Sequence, residues 1–290
     1  MIKNFSKLLL CAAIALTSCS SVDEPEMTES TGETAKVAIG ISRADAQEFT
    51  EAGITNITVF VYHNERKGTT LFCEKTMDVA DGMFEMEFPI GETYQTFVVA
   101  NAPSITEKEE IATVAINLDP KAPADVWMSQ VVKFASDKSV SEVELTLNRR
   151  VARVSFEPAE TAEELAAITD YDNLNIRFTN IATKMLVSGA KAEAGETTVS
   201  ASAADGFKAT IYTFDTSSLA VNGKLFLEYT KGGAVVNTSR ELDCATSYGA
   251  SKRVKLIVPI TDPGLVENPW SGMRARAELR SPITFEISEF

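Results

Sequence analysis

The sequence is short of the residues that most often carry chemistry. It has one histidine, His63, four cysteines and two tryptophans in 290 residues. A single histidine excludes a histidine-based metal cluster, and its place beside Asn64-Glu65-Arg66 at a strand end reads as a solvated turn residue. The cysteines have no CxxC partner, and no HExxH, GxSxG, P-loop or GxGxxG pattern occurs. Basic residues are outnumbered 27 to 41, for a formal charge of -14, so no surface suited to nucleic acid or anionic lipid is expected. Asp78, Asp81, Glu85 and Glu87 alternate along a strand or lie in turns, the pattern of a solvated face, and single out no acid–base pair. Asp119, Asp262 and the Asp81-Gly82 pair lack EF-hand spacing, and Trp127 and Trp270 are lone aromatics. Neither an enzyme nor a cofactor is indicated.

Long apolar runs are missing too. The longest, LLLCAAIAL, is too short to cross a bilayer as a helix; with Lys3 and Lys7 before it, it reads as a signal peptide. The segment ends LTSC, residues 16–19, which resembles the lipobox of bacterial lipoproteins and implies acylation of Cys19. The alternative is an ordinary secretory signal with a coincidental cysteine. Two or three acyl chains would anchor the chain firmly in the outer membrane. Residues 20–35, SSVDEPEMTESTGETA, carry five acidic residues and no basic one, so they are expected to form a solvated tether. Of the remaining cysteines, Cys73 and Cys244 could pair in an oxidising envelope or stay as two buried thiols.

Beyond the tether the chain reads as strands. KVAIGISRAD, residues 36–45, puts Val37, Ile39 and Ile41 on one face. ITNITVFVYH, GMFEMEFPI and SEVELTLNRRVARVSFEP alternate likewise, TYQTFVVANAP reads as a buried run ending in an Asn-Ala-Pro turn, and seven more strand-like segments follow at intervals of ten to twenty residues. That spacing predicts all-β sandwiches. Two short helices are expected: 105–116, with Ser104 as N-cap and Glu107 three residues on, and 158–168, with Thr161 and Glu164 in a capping box. A boundary near 147–150 would divide an N-terminal sandwich, 36–147, from a C-terminal one, 148–290.

The order of these pieces resembles the fimbrillins, subunits of type V pili. The pieces are the LTSC lipobox, VAIGISRA, ITVFVYHNE, TFVVANAPS, LNRRVARVSF and KRVKLIVPITDPG. The resemblance implies two transthyretin-like β-sandwich domains and export to the cell surface as a lipoprotein. It implies cleavage between Arg43 and Ala44 by an arginine-specific surface protease, removing lipid, tether and the Val37/Ile39/Ile41 strand together. A strand from another subunit, a copy of this chain or a different one, then fills the groove. The segment RSPITFEISEF ends the chain with Ile283, Phe285 and Ile287 at two-residue spacing, so it reads equally as that donor and as the last strand of its own domain. The other function to weigh is an uncut outer-membrane lipoprotein. It would serve as pilus anchor or tip, or bind a glycan or host protein.

Overall fold

In the computed structural model the described residues are 32–43, 53–140, 142–189, 191–219, 221–239, 241–244, 246–261 and 283–289. The signal peptide, Cys19, most of the tether, Ala44, Asp262 and Trp270 lie outside them. The described chain is mostly β, in three sheets with one short helix.

The first ten strands are β1 (Thr34–Arg43), β2 (Asn56–Glu65), β3 (Gly68–Asp78), β4 (Met83–Pro89), β5 (Thr93–Ala100), β6 (Ser104–Thr106), β7 (Ala115–Asn117), β8 (Trp127–Met128), β9 (Val132–Ala135) and β10 (Glu142–Arg149). Then follow β11 (Val151–Pro158), helix α1 (Ala162–Ala166), β12 (Asn173–Leu186), β13 (Lys191–Ser202), β14 (Ala209–Phe214) and β15 (Lys224–Lys231). The last are β16 (Ala234–Thr238), β17 (Leu242–Asp243), β18 (Lys252–Val258) and β19 (Thr284–Glu289). β1 begins at Thr34, so Thr34 and Ala35 belong to the strand and not to the tether, and Lys36 lies within it.

An eight-stranded sheet runs β3-β2-β5-β8-β10-β1-β4, with β9 also on β5. It curls into a half-barrel: Phe72 of β3 and Phe88 of β4, at its two ends, stack with ring centroids 5.8 Å apart. A four-stranded sheet runs β14-β11-β18-β19, and a seven-stranded one runs β16-β15-β12-β7-β6 with β13 and β17 attached. The chain passes from the first sheet to the second across one residue, Arg150. In the first two sheets the first strand of the chain lies parallel to a strand about a hundred residues later: β1 beside β10, and β11 beside β18.

Burial follows the alternation. Val37, Ile39, Val59, Val61, Phe84, Phe88, Val143 and Leu145 fill the half-barrel, while Val154, Phe156, Ile176, Phe178, Leu227 and Leu256 fill the core between the other two sheets. The opposite faces of β2 and β5 are also buried: Phe60, Tyr62, Phe97 and Val99 join Ile116, Met185 and Phe214 in a third cluster that links the halves. Two-sided burial explains why ITVFVY shows no polar face.

One expected helix forms. Thr161 caps α1, its hydroxyl accepting from the Glu164 amide and the Glu164 carboxylate accepting from Thr161. The other, over 105–116, is replaced by β6, a turn and β7. Glu107 takes a left-handed backbone conformation, φ 56°, which a helix does not admit. Ile116 pairs with Ile105 on one side and Met185 on the other, so the segment caps a sheet drawn largely from the second half of the sequence.

Candidate functional site

β1 sits between two strands rather than at an edge. It pairs in parallel with β10, Ile39 opposite Val143 and Arg43 opposite Leu147. On its other side it runs antiparallel to β4, Ile39 opposite Phe84. Val37 and Ile39 are wholly buried, and Ile41 is half-buried. The ladders extend slightly past the strand ends, where the Ile41 amide donates to the Gly82 carbonyl (3.0 Å) and that of Ile90 to Glu33 (2.9 Å). Burying each such aliphatic side chain stabilises by about 1.5–3 kcal/mol. Loss of β1 would open a slot lined by Phe84, Phe88, Val143 and Leu145, with two unpaired strand edges.

The outward face of this region is acidic. Glu85 of β4 and Glu142 and Glu144 of β10 lie opposite the small residues Ala38 and Gly40 of β1, Glu87 of β4 lies opposite Lys36, and Ser42 lies opposite Thr146. A Cβ on Gly40 would lie 2.9 Å from a Glu142 carboxylate oxygen, so that side chain lies across the glycine. Lys36 of β1 pairs with Glu85, Thr34 donates to Glu87 at 3.4 Å, and the Ser42 and Thr146 hydroxyls are 3.0 Å apart.

β19 differs in every respect. It is the last strand of its sheet, antiparallel to β18, with Phe285 opposite Leu256 and Ile287 opposite Val254. That register puts Phe285 and Ile287 on the side of the core, yet they are 43% and 50% exposed, while Ile283 is buried. Its polar residues match β18: Glu286 lies 3.7 Å from Lys255, and Glu289 pairs with Lys252. Glu157, and to a lesser degree Glu286, pull the Lys255 pKa up.

The remaining candidates stay apart. Cys73 lies in the half-barrel core and Cys244 in the other, both as buried thiols, so the disulfide considered from the sequence does not form here. Burial pushes the Cys244 thiol up to about 11. A thiol reagent at pH 8 is therefore expected to leave Cys244 unmodified in the folded protein and to label it once urea unfolds the chain; labelling without denaturant would refute its burial. His63 Nε2 lies 3.0 Å from a Glu92 carboxylate oxygen at the sheet rim. Asp78 and Asp119 use their carboxylates on nearby amides, of Ala80 (2.8 Å) and Lys121 (3.0 Å). Among the described residues no group of three or more His, Cys, Asp or Glu side chains could hold a metal ion. Trp127 is buried under the Arg149 guanidinium, 4.8 Å from its ring, and offers no platform to a sugar. A cleft of about 490 Å3 between the halves, lined by Gln95, Met128, Gln130 and Arg150 among others, gathers no catalytic set.

Residues 29–273 match the family of fimbrillin-A associated anchor proteins Mfa1 and Mfa2. The chain belongs to this family. It is a fimbria-associated, adhesin-related surface protein, and its family is structural, not enzymatic. No curated protein matches. Among solved structures, a candidate adhesin from Bacteroides ovatus is similar at TM-score 0.55 and 13% identity, covering 84% of this chain and 95% of that one. A candidate polysaccharide-binding protein from Bacteroides thetaiotaomicron is similar at TM-score 0.54 and 13% identity, over 78% and 93% of the two chains. A second candidate adhesin from Bacteroides ovatus gives TM-score 0.53 at 12% identity, over 79% and 90%. At such identities the likeness is one of fold.

Sequence reasoning overlooked two features of this Mfa-family chain. One is the bidentate pair of Arg149 with Asp125, 24 residues apart; the other is the four-carboxylate face around β1. Only the second left a signal, in the paired Glu of EMEF and EVEL.

Proposed function

We propose that the chain is a subunit of a surface fimbria, exported as a lipoprotein acylated at Cys19 and joined to its neighbours by strand exchange. Cleavage between Arg43 and Ala44 would free β1, with the lipid, from the first of two transthyretin-like β-sandwich domains, residues 36–147 and 148–290, of which β1 is the removable first strand. β1 is held by two ladders and by the burial of Val37 and Ile39. That is the observation that carries the reading, because the slot it fills is continuous, apolar and flanked by strand edges. The strand bearing Ile283, Phe285 and Ile287 is the donor to another subunit. Its exposed Phe285 and Ile287 would gain burial by moving.

A second reading is favoured by the name of the matching family, which includes anchor proteins. It is also favoured by Arg43 being still paired in the ladder opposite Leu147, where a protease would have to open the strand end. In that reading the chain keeps β1 and Cys19 and holds the fimbria to the outer membrane.

The N-terminus and mass of the protein taken from the cell surface decide between them. The subunit reading expects a start at Ala44, without lipid, in oligomers that resist denaturant. A start at acylated Cys19 throughout the population overturns it in favour of the anchor.

A further inference from the structure

The charges on the two strands that the proposed mechanism would exchange are opposed. β1 presents Lys36, Ala38, Gly40 and Ser42 on its outward face, between Glu85 and Glu87 on one side and Glu142 and Glu144 on the other. The register places Ala38 in one row with Glu85 and Glu142, and Gly40 in the next row with Met83 and Glu144. Small residues fit there because the Glu142 carboxylate already leans over Gly40. Lys36, the β1 cation paired with this rim, departs when the strand does. Lys138, paired with Glu33 at 2.6 Å, would remain, but it sits in the turn before β10, four residues ahead of Glu142 and outside the central rows.

The chain's own C-terminal strand does not suit that slot. With Ile283, Phe285 and Ile287 facing inward, Thr284, Glu286 and Ser288 face outward. Laid parallel to β10 in place of Val37, Ile39 and Ile41, the strand puts Glu286 at the Gly40 position, beside Glu144 and under Glu142. Laid the other way it puts Glu286 at the Ala38 position, between Glu85 and Glu142. Shifting either arrangement by two residues toward Lys36 keeps Glu286 in the acidic rim; only the parallel strand shifted toward Arg43 brings it beside Thr146 instead, and that shift leaves the Val37 position empty. Like charges directly opposite in a sheet are destabilising. At its home edge the same residue meets Lys255, and Glu289 meets Lys252.

We infer that the groove left by β1 discriminates against this chain's own C-terminal strand and accepts one from a different subunit. The accepted strand has aliphatic residues inward and small or basic residues at the two central outward positions. The inference rests on the strand-removal reading. It makes this chain a junction between unlike subunits rather than the repeating unit of a homopolymer, with the carboxylates acting as a barrier to the wrong partner.

The test uses the chain from residue 20 to 290, cut after Arg43 in the presence of labelled peptides. The peptides are residues 34–43, residues 281–290, and the latter carrying Glu286→Gln or Glu286→Lys. Peptide 34–43 is expected to bind. The Glu286→Lys peptide should bind at least ten-fold more tightly than the native C-terminal peptide, with Glu286→Gln between them. The gap should close in 1 M salt, where the Debye length is about 3 Å, and in the Glu142→Gln/Glu144→Gln protein. If peptide 34–43 binds and the three C-terminal peptides bind equally, the inference fails while strand exchange stands. If peptide 34–43 does not bind, both fail together.

Discussion

Arg149→Ala is expected to be among the most destabilising single changes in the protein, costing about 3–5 kcal/mol by urea unfolding. The side chain is 6% exposed, and its guanidinium makes two bonds to Asp125, Nε to Oδ1 at 2.6 Å and Nη2 to Oδ2 at 2.9 Å. It also covers Trp127. Removing it deletes packing against the indole and leaves a mostly buried carboxylate without its counter-ion. Arg149→Lys keeps the charge but loses the fork and the flat stacking surface, so an intermediate loss is expected. A cost under 1 kcal/mol for Arg149→Ala would show that Asp125 finds water or another donor. The site matters because the next residue, Arg150, bonds through its amide to the Val126 carbonyl at 2.8 Å and carries the chain into the second sheet.

Ile39→Ala and Ile287→Ala should separate folding from assembly. Ile39 has no exposed surface, and truncating it leaves a cavity against Phe84 and Val143, for a loss of about 2–5 kcal/mol. Ile287 is half-exposed on an edge strand, so its truncation should cost less than about 1 kcal/mol in the isolated chain. If β19 is the donor, the order reverses in the fimbria. The Ile287→Ala protein, above all when combined with Phe285→Ala, would fold and reach the surface but fail to join its neighbour. Unchanged incorporation of the double variant would refute donation by this strand.

The strands were legible because their period survives on at least one face. Val37/Ile39, Val143/Leu145 and Phe285/Ile287 all fall where alternation places them, and Thr161 with Glu164 fixes α1 through bonds only three residues apart. What failed was decided at a distance. The stretch 105–116 has helical composition, yet Ala115 and Ile116 are claimed by Met185 and Leu186, some seventy residues on, and nothing local announces that ladder. Pairing partners were hidden for the same reason. That β1 is flanked by β10 and β4, and so acquires four carboxylate neighbours, depends on which strands adjoin it. Alternation fixes a strand's faces but not its neighbours.

The two parallel pairs bear on the order in which the chain can fold. β1 meets β10 about a hundred residues later, and β11 meets β18 across a similar distance, Arg153 with Arg253. Such closures carry the largest entropic cost and come late. In a chain that emerges amino end first, β4 is made before β10, so β1 has one neighbour long before it has the second. Its seat is complete only when the half-barrel is otherwise built. The β11–β18 closure has the same kinetics, but β11 is tied into the chain at both ends. Of these two slow-closing strands, β1 alone could be exchanged by one cut, without unravelling the sheet that formed before it closed.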